Sequence, residues 1–302
     1  MQYDITLLTD SRWVAPAHPD WYAQQILTED GLVQTALEAR GLKVQRVAWD
    51  DASVQWEQTR FAMFRTTWDY FDKFSLFRKW LETTSTKTTF INPIALIQWN
   101  MDKHYLRDLA AKGITVPETY YIETGDTRTL EAAVAATGWQ KLVLKPAVSG
   151  AGRHTYLFDA GQTAPLESTY RSLIAQESML LQLYQEQITT KGEVALMMMG
   201  GEYTHAVLKK AKAGDFRVQD DFGGTVHEYT PDASLIAFGK KVLAACPQLP
   251  LYARVDIIWN NHDQPTLSEL ELIEPELWLR NNPSAADLLA DAITDCYFNE
   301  YM

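Results

Sequence analysis

A chain of 302 residues, 46% hydrophobic and 22% charged, has ordinary globular composition and is long for a single core, suiting two or three subdomains. A formal charge of −12 argues against nucleic acid or an anionic membrane as partner, though basic residues gathered in one cleft could still meet a phosphate ligand. No apolar run nears the roughly 20 residues of a membrane span, and no basic leader opens the chain; with Cys246 and Cys296 isolated, a cytoplasmic protein with reduced thiols is expected.

"YDITLLTD" (3–10) reads as a first strand, and apolar positions at helical spacing over 21–40 run to a stop at Gly41. "LKVQRVAW" (42–49) alternates as a second strand. "FAMFRTTWDY" (61–70) begins as a strand and ends polar, 72–83 is helical, and "TTFINP" (88–93) is a short strand before Pro93. This β-α-β-β-α-β order predicts an open α/β sheet, with ligands at the carboxyl ends of its strands. Arg65, Trp68, Asp69 and Tyr70 fall at such an end and are candidate substrate contacts; the alternative is a loop with two aromatics packed beneath it.

A new section starts near Gln98, with a helix over 100–113 opened by Lys103 and stopped at Gly113. An extended segment and a helix follow. Then "QKLVLKPAVSGAGRHTYLFD" (140–159) gives two strands around a small-residue loop, followed by a helix and the strand or linker "SMLLQLYQ" (178–185). The last third is richer in strands, with a helix over 234–245, turns at 200–201 and 260–264, and a closing helix from Ser284. It reads as an antiparallel sheet flanked by helices.

The densest chemistry lies in "LSELELIEPELW" (267–278). At strand spacing Glu269 and Glu271 share a face, as do Arg254 and Asp256 in "ARVDIIW" upstream. Paired as a hairpin, the two strands gather Asp256, Glu269 and Glu271 beside one arginine. Such a cluster repels itself unless a hard divalent cation relieves it, and Mg2+ completes its shell with substrate phosphates. The plainer alternative is a solvent-facing charged strand. Glu274 and Glu276 lie beyond the alternation and are expected in water. The six histidines show no metal-binding spacing, so zinc is not expected.

The loop at 149–152 follows Lys145, and its small residues Ser149, Gly150 and Gly152 would let backbone N–H groups approach a phosphate, unless it is an ordinary hairpin. Lys209, Lys210, Lys212 and Arg217 form a basic stretch that suits polyphosphate, with solvated lysines as the alternative, most of all for Lys212.

In their order and spacing these pieces resemble the ATP-grasp superfamily, which includes D-alanine–D-alanine ligase and glutathione synthetase. Within it the "WDY" segment and "ELELIEP" strand are similar to the subgroup around the cycloserine-forming ligase. The resemblance covers nearly the whole chain. It implies an α/β and α+β architecture: an N-terminal open α/β substrate domain over 1–97, a central subdomain with a phosphate lid over 98–183, and a metal-bearing subdomain over 184–302. It implies that Lys103 and Lys145 contact ATP phosphates, that Gln182 and Leu183 receive adenine, and that Glu193 contacts ribose. Lys209 and Lys210 would also meet nucleotide. Asp256, Glu269 and Glu271 would hold two Mg2+ ions, with Mn2+ as a substitute, and Arg217 and Arg254 would stabilise the transferred phosphoryl group.

The sequence departs from the family in four places. Glu271 stands where many members have Asn, the Pro-Gly turn after it is absent, and Gln182 replaces the usual acid at the adenine position. The stretch 184–192 is also longer than in D-alanine–D-alanine ligase, so Glu186 competes with Glu193 for ribose.

The implied reaction is amide formation. A carboxylate attacks the γ-phosphate to give an acyl phosphate, and an amine then displaces phosphate. The partners are therefore a small-molecule carboxylate and an amine, acted on by a monomer or homodimer. A ring-closing synthetase, a small-molecule kinase and a non-catalytic nucleotide-binding module are the alternatives on the same scaffold.

Overall fold

Ile5 to Thr9 form an unbroken buried run, the pattern of a strand covered on both faces. The computed structural model describes residues 1–212, 214–218 and 223–298. In it β1 (Tyr3–Thr9) lies between β2 (Val44–Ala48) and β3 (Thr59–Thr66), with β4 (Thr89–Ile91) outside β3, all parallel. The crossovers are α1 (Trp21–Glu38), capped by Asp20 accepting from the Ala23 N–H at 2.8 Å, and α2 (Phe74–Thr84). Gly41 adopts φ +79° just past the first helix, so the expected stop is where the chain turns.

The helix expected over 100–113 is broken. The chain forms α3 (Ile94–Asn100) and then α4 (Tyr105–Ala111). Between them the Asp102 carboxylate accepts the His104 N–H at 2.9 Å, a local bond that competes with helix. Lys103 therefore sits in a turn, its own N–H donating to Ala147 O at 2.8 Å.

The second sheet is antiparallel, in the order β5-β8-β6-β7: β5 (Thr119–Ile122), β6 (Lys141–Pro146), β7 (Tyr156–Asp159) and β8 (Met179–Leu183). Leu142 and Leu144 of β6 pack into a core with α5 (Leu130–Thr137) and α6 (Ala164–Ile174), which turns Val143 and Lys145 to the opposite face.

After a short α7 (Ile188–Lys191) comes the third sheet, antiparallel throughout, in the order β11-β10-β9-β12-β13. Its strands are β9 (Glu193–Met199), β10 (Glu202–Lys210), β11 (Thr225–Tyr229), β12 (Tyr252–Trp259) and β13 (Pro265–Glu271). Val194, Leu196, Met198, Val255 and Leu270 pack on α4 and on α8 (Ala233–Ala244). Ala195, Met197, Met199 and Tyr252 form the opposite core with α1 and α9 (Ser284–Tyr297). The Asn92 and Asn100 side chains donate to Leu272 O and Leu270 O, both at 2.9 Å, tying the first sheet and α3 to the end of β13. No helix among the described residues is long and apolar enough to cross a membrane.

Candidate active site

Residues directly opposite in an antiparallel pair share a face. Arg254 stands opposite Glu271, Asp256 opposite Glu269 and Ala195, and Lys209 opposite Glu193. One face of the third sheet is thus apolar under α1 and α9 and charged beyond them. The charged end borders a cavity of about 610 Å³.

Across it the carboxylates of Glu193, Asp256, Glu269 and Glu271 each meet a cation. Arg254 donates to Asp256 (Nη2–Oδ2 2.8 Å) and to Glu271. Lys209 pairs with Glu193 at 2.5 Å and with Asp256 at 3.2 Å. Lys103 pairs with Glu269 at 2.9 Å and donates to Ser149 O at 2.5 Å.

Burial would push all of these carboxyl groups up. Arg254 and Lys209 outweigh it at Asp256, and Lys103 and Lys145 outweigh it at Glu269, so both are held below their ordinary values. At Glu271 burial wins over Arg254; with Asp256 and Glu269 repelling it, the group is pushed up to about 8. Lys145 is pushed down to about 8 by burial, with Lys103 adding to the effect against Glu269.

Three further walls close the cavity. The β6–β7 loop brings Ser149, Gly150 and Gly152, with Ser149 Oγ donating to Arg153 O at 3.0 Å. Arg153 grips Glu177 through two bonds of 2.8 and 3.0 Å. Gly150 is required here: a Cβ would stand 2.5 Å from the Phe71 ring. The end of β8 supplies Gln182, whose amide donates to Thr119 Oγ1 at 2.9 Å, and Leu183. The carboxyl ends of β1 and β3 supply Arg12, Trp13 and Trp68, joined by Tyr22.

A family model described as the N-terminal domain of the D-cycloserine synthetase DcsG matches residues 5–92. The cycloserine biosynthesis protein DcsG of Streptomyces lavendulae is 28% identical over 273 residues, 84% of this chain and 89% of that protein. A crystal structure of D-cycloserine synthetase DcsG superposes with TM-score 0.84 at 26% identity, covering 97% of this chain and 99% of that one. D-alanine–D-alanine ligase from Bacillus anthracis, complexed with ATP, gives TM-score 0.66 at 16% identity over 97% and 96% of the two chains, a likeness of fold. This is the ATP-grasp ligase fold.

The ATP-grasp cavity collects most of the residues singled out from the sequence. Lys103, Lys145, Ser149, Gly150, Gly152, Gln182, Leu183, Glu193, Lys209, Arg217, Arg254, Asp256, Glu269, Glu271 and Trp68 line it. Arg217 forms an ion pair with Asp215 at 2.8 Å. As placed here, no three His, Cys, Asp or Glu side chains among the described residues are grouped so as to hold a metal ion; the carboxylates are turned onto cations instead. The donor set itself, carboxylate oxygens on facing rungs of one ladder, has the hardness Mg2+ requires.

Several expectations are corrected. Arg65 does not meet the cavity. It is wholly buried beneath α1, 2.9 Å from Glu29 and 3.4 Å from Asp30, because a doubly covered strand has no open face. Asp69 accepts the Trp49 indole N–H at 2.7 Å and pairs with Lys73 at 2.6 Å, and Tyr70 is buried against Phe71 and Phe77. Glu186 is exposed, its N–H donating to Asn261 Oδ1 at 2.9 Å, and Lys210 is exposed on the outer side of β10. Conversely, Glu274 and Glu276 do not run out to water. The chain after β13 folds back under the first sheet, so both line the cavity together with Trp278.

Arg12, Trp13, Tyr22 and Trp278 were not singled out from the sequence, and no spacing rule connects them. The one available signal was their place after a strand end or in the acidic stretch.

Proposed function

We propose that the chain is an ATP-dependent ligase that joins a small-molecule carboxylate to an amine through an acyl phosphate. The observation that supports this most is one cavity in which Asp256, Glu269 and Glu271 face Lys103, Lys145, Lys209, Arg217 and Arg254. Lys103 and Lys145 meet the phosphates, and the loop over 150–152 seals them from water. Gln182 and Leu183 take the adenine. Glu193 takes the ribose once it gives up Lys209, since Glu186 lies outside the cavity. Asp256, Glu269 and Glu271 hold two Mg2+ ions, or Mn2+ in their place, which would neutralise charge on the triphosphate. Their release from Arg254 and Lys103 frees those cations to face the transferred phosphoryl group, with Arg217 beside them. The organic substrates lie against Arg12, Trp13, Tyr22 and Trp68. In this reading residues 1–97 form the substrate domain, 98–183 the lid-bearing subdomain and 184–302 the metal-bearing one.

Intramolecular ring closure is the second reading, favoured by similarity along the whole chain to a D-cycloserine synthetase. Incubation with ATP, Mg2+ and pools of amino acids separates the two. Phosphate release that depends on two organic substrates assigns amide ligation; with release supported by one alone, a product of one substrate less water assigns ring closure and a product of two less water assigns ligation. Phosphate release that never rises above the ATP background, with pools or with single compounds, would be the result against both.

A further inference from the structure

Trp278 is held in an unusual way. It is 3% exposed, lines the cavity, and adopts φ +45°, a left-handed backbone that is costly for a bulky side chain. Among the described residues its indole N–H has no hydrogen-bond partner, so polar bonds fix it only through the backbone on either side. The N–H groups on either side are both held by one residue of α1. Glu29 accepts the Leu277 N–H at Oε1 (2.6 Å) and the Leu279 N–H at Oε2 (3.2 Å), straddling the tryptophan. From the other side His205 Nε2 stands 2.8 Å from Leu277 O and 3.2 Å from Trp278 O.

Glu29 lies outside the cavity, 3% exposed, with Arg65 as its counter-ion at 2.9 Å. A buried ion pair seldom earns its place by stability alone. What this one supplies is two acceptor oxygens at fixed spacing for an irregular segment with no strand partner. The segment in turn touches the charged centre. The Trp278 ring faces the Arg254 guanidinium at 5.2 Å and the Lys209 ammonium at 5.7 Å, within cation–π range. Arg254 Nη1 also donates to Glu276 O at 3.4 Å, one residue before the clamp.

We propose that Glu29 is a positioning residue for the ligase reaction, acting through the 277–279 backbone to hold Trp278 against Arg254 and Lys209; this rests on the ligase reading of the cavity. Its role is to keep those two cations aimed while Asp256 and Glu271 exchange partners on nucleotide binding.

The test uses full-length protein labelled with 5-fluorotryptophan, the Trp278 resonance being the one missing from Trp278→Phe. In Glu29→Gln, where one acceptor becomes a donor, the Trp278 fluorine signal is expected to shift or broaden while those of tryptophans remote from the clamp stay in place. Turnover with MgATP should fall about 10- to 100-fold in kcat, with the KM for MgATP changing far less. Glu29→Asp, which keeps both oxygens and the charge, should recover part of the loss. The Glu29→Gln, Trp278→Ala double variant should be no slower than Trp278→Ala alone. An unmoved Trp278 resonance in both Glu29 variants, or additive losses in the double variant, overturns the proposal. A wild-type protein that bound no MgATP would instead sink the ligase reading, while the fluorine experiment still reports on the clamp.

Discussion

Asp256 and Glu269 face each other across the ladder between β12 and β13, yet they are held by different cations: Asp256 by Arg254 and Lys209, Glu269 by Lys103. The two halves of one rung are therefore anchored to different parts of the chain, Lys103 coming from the turn before α4 and Lys209 from β10. A ligand that drew both carboxylates inward would at once release cations from both sides.

That asymmetry separates two substitutions. Glu269 keeps a side-chain exposure of 30%, and in Glu269→Gln the amide oxygen can still accept from Lys103, which is 8% exposed and also donates to Ser149 O, so the fold should survive. MgATP turnover should drop by at least about 100-fold with only a small change in melting temperature. Asp256 is 2% exposed, and Asp256→Asn removes the charge shared by two buried cations, leaving Lys209 with Glu193 alone and Arg254 with Glu271 alone. It should cost about 3–5 kcal/mol of stability as well as activity. Paired melting curves and ADP-release assays check both; wild-type turnover in Glu269→Gln would remove this residue from the metal set.

Lys145 gives a pH signature. Its ammonium in the free protein is pushed down to about 8, so it is charged below that pH and neutral above it. Triphosphate favours the charged form, so binding takes up a proton and nucleotide affinity falls as pH rises from 7 through 8 to 9. Measured without added Mg2+, so that Glu271, also near 8, is not drawn to release a proton in opposition, the slope should approach about tenfold per pH unit above 8. Lys145→Arg, always charged, should flatten it. Calorimetric titrations with a non-hydrolysable ATP analogue in buffers of different ionisation enthalpy measure both the slope and the proton uptake.

Gly150 tests the lid. A methyl at this position meets the edge of Phe71, itself buried, so Gly150→Ala should unseat the loop at a cost of about 1–3 kcal/mol. That corresponds to roughly 5- to 150-fold weaker nucleotide binding. Phe71→Ala in the same chain should restore much of it. Nucleotide protection of the 149–153 segment from proteolysis reads the effect directly, and protection undiminished in Gly150→Ala would show that the loop does not close there.

What could be read from the sequence follows a physical line. Strand alternation is local, so spacing alone places Arg254, Asp256, Glu269 and Glu271 on one face, and the 260–264 turn sets their pairing. Lys145 follows from the same period of two. The failures lie where no period operates. A parallel strand buried on both faces has no polar side to read, which is why Arg65 resembles a cleft residue in the sequence. Beyond Glu271 the alternation stops, and long-range bonds decide that Glu274 and Glu276 face inward: Trp68 to Glu274 O, Arg254 to Glu276 O, and the docking of 277–279 on α1, 248 residues away along the chain in the Leu277–Glu29 bond. The break at 101–104 goes with two bonds that no spacing reveals, the His104 N–H to the Asp102 side chain and the Lys103 N–H to Ala147 O.

Arg65 offers the clearest separation of a structural role from a substrate role. Arg65→Met removes the main counter-ion of Glu29, while Asp30 keeps Arg46 at 2.7 Å. Glu29 already sits at about 7 because burial outweighs Arg65, and without the arginine it rises further. The sign follows from linkage. A carboxyl raised in the folded state holds a proton that the unfolded chain releases above about 4.5, so its contribution to stability declines as pH rises toward and past 7. The variant should therefore lose about 3–5 kcal/mol at pH 8, where Glu29 must either ionise with only Arg280, 3.9 Å away, as counter-ion or bind a proton from dilute solution. Much of that loss should be regained near pH 5. Thermal melts across this range, with ATP and organic-substrate KM values measured on the folded protein, provide the check. A stability loss equal at pH 5 and 8 would count against Glu29 as its source, and a KM change confined to the organic substrate would return Arg65 to the cavity.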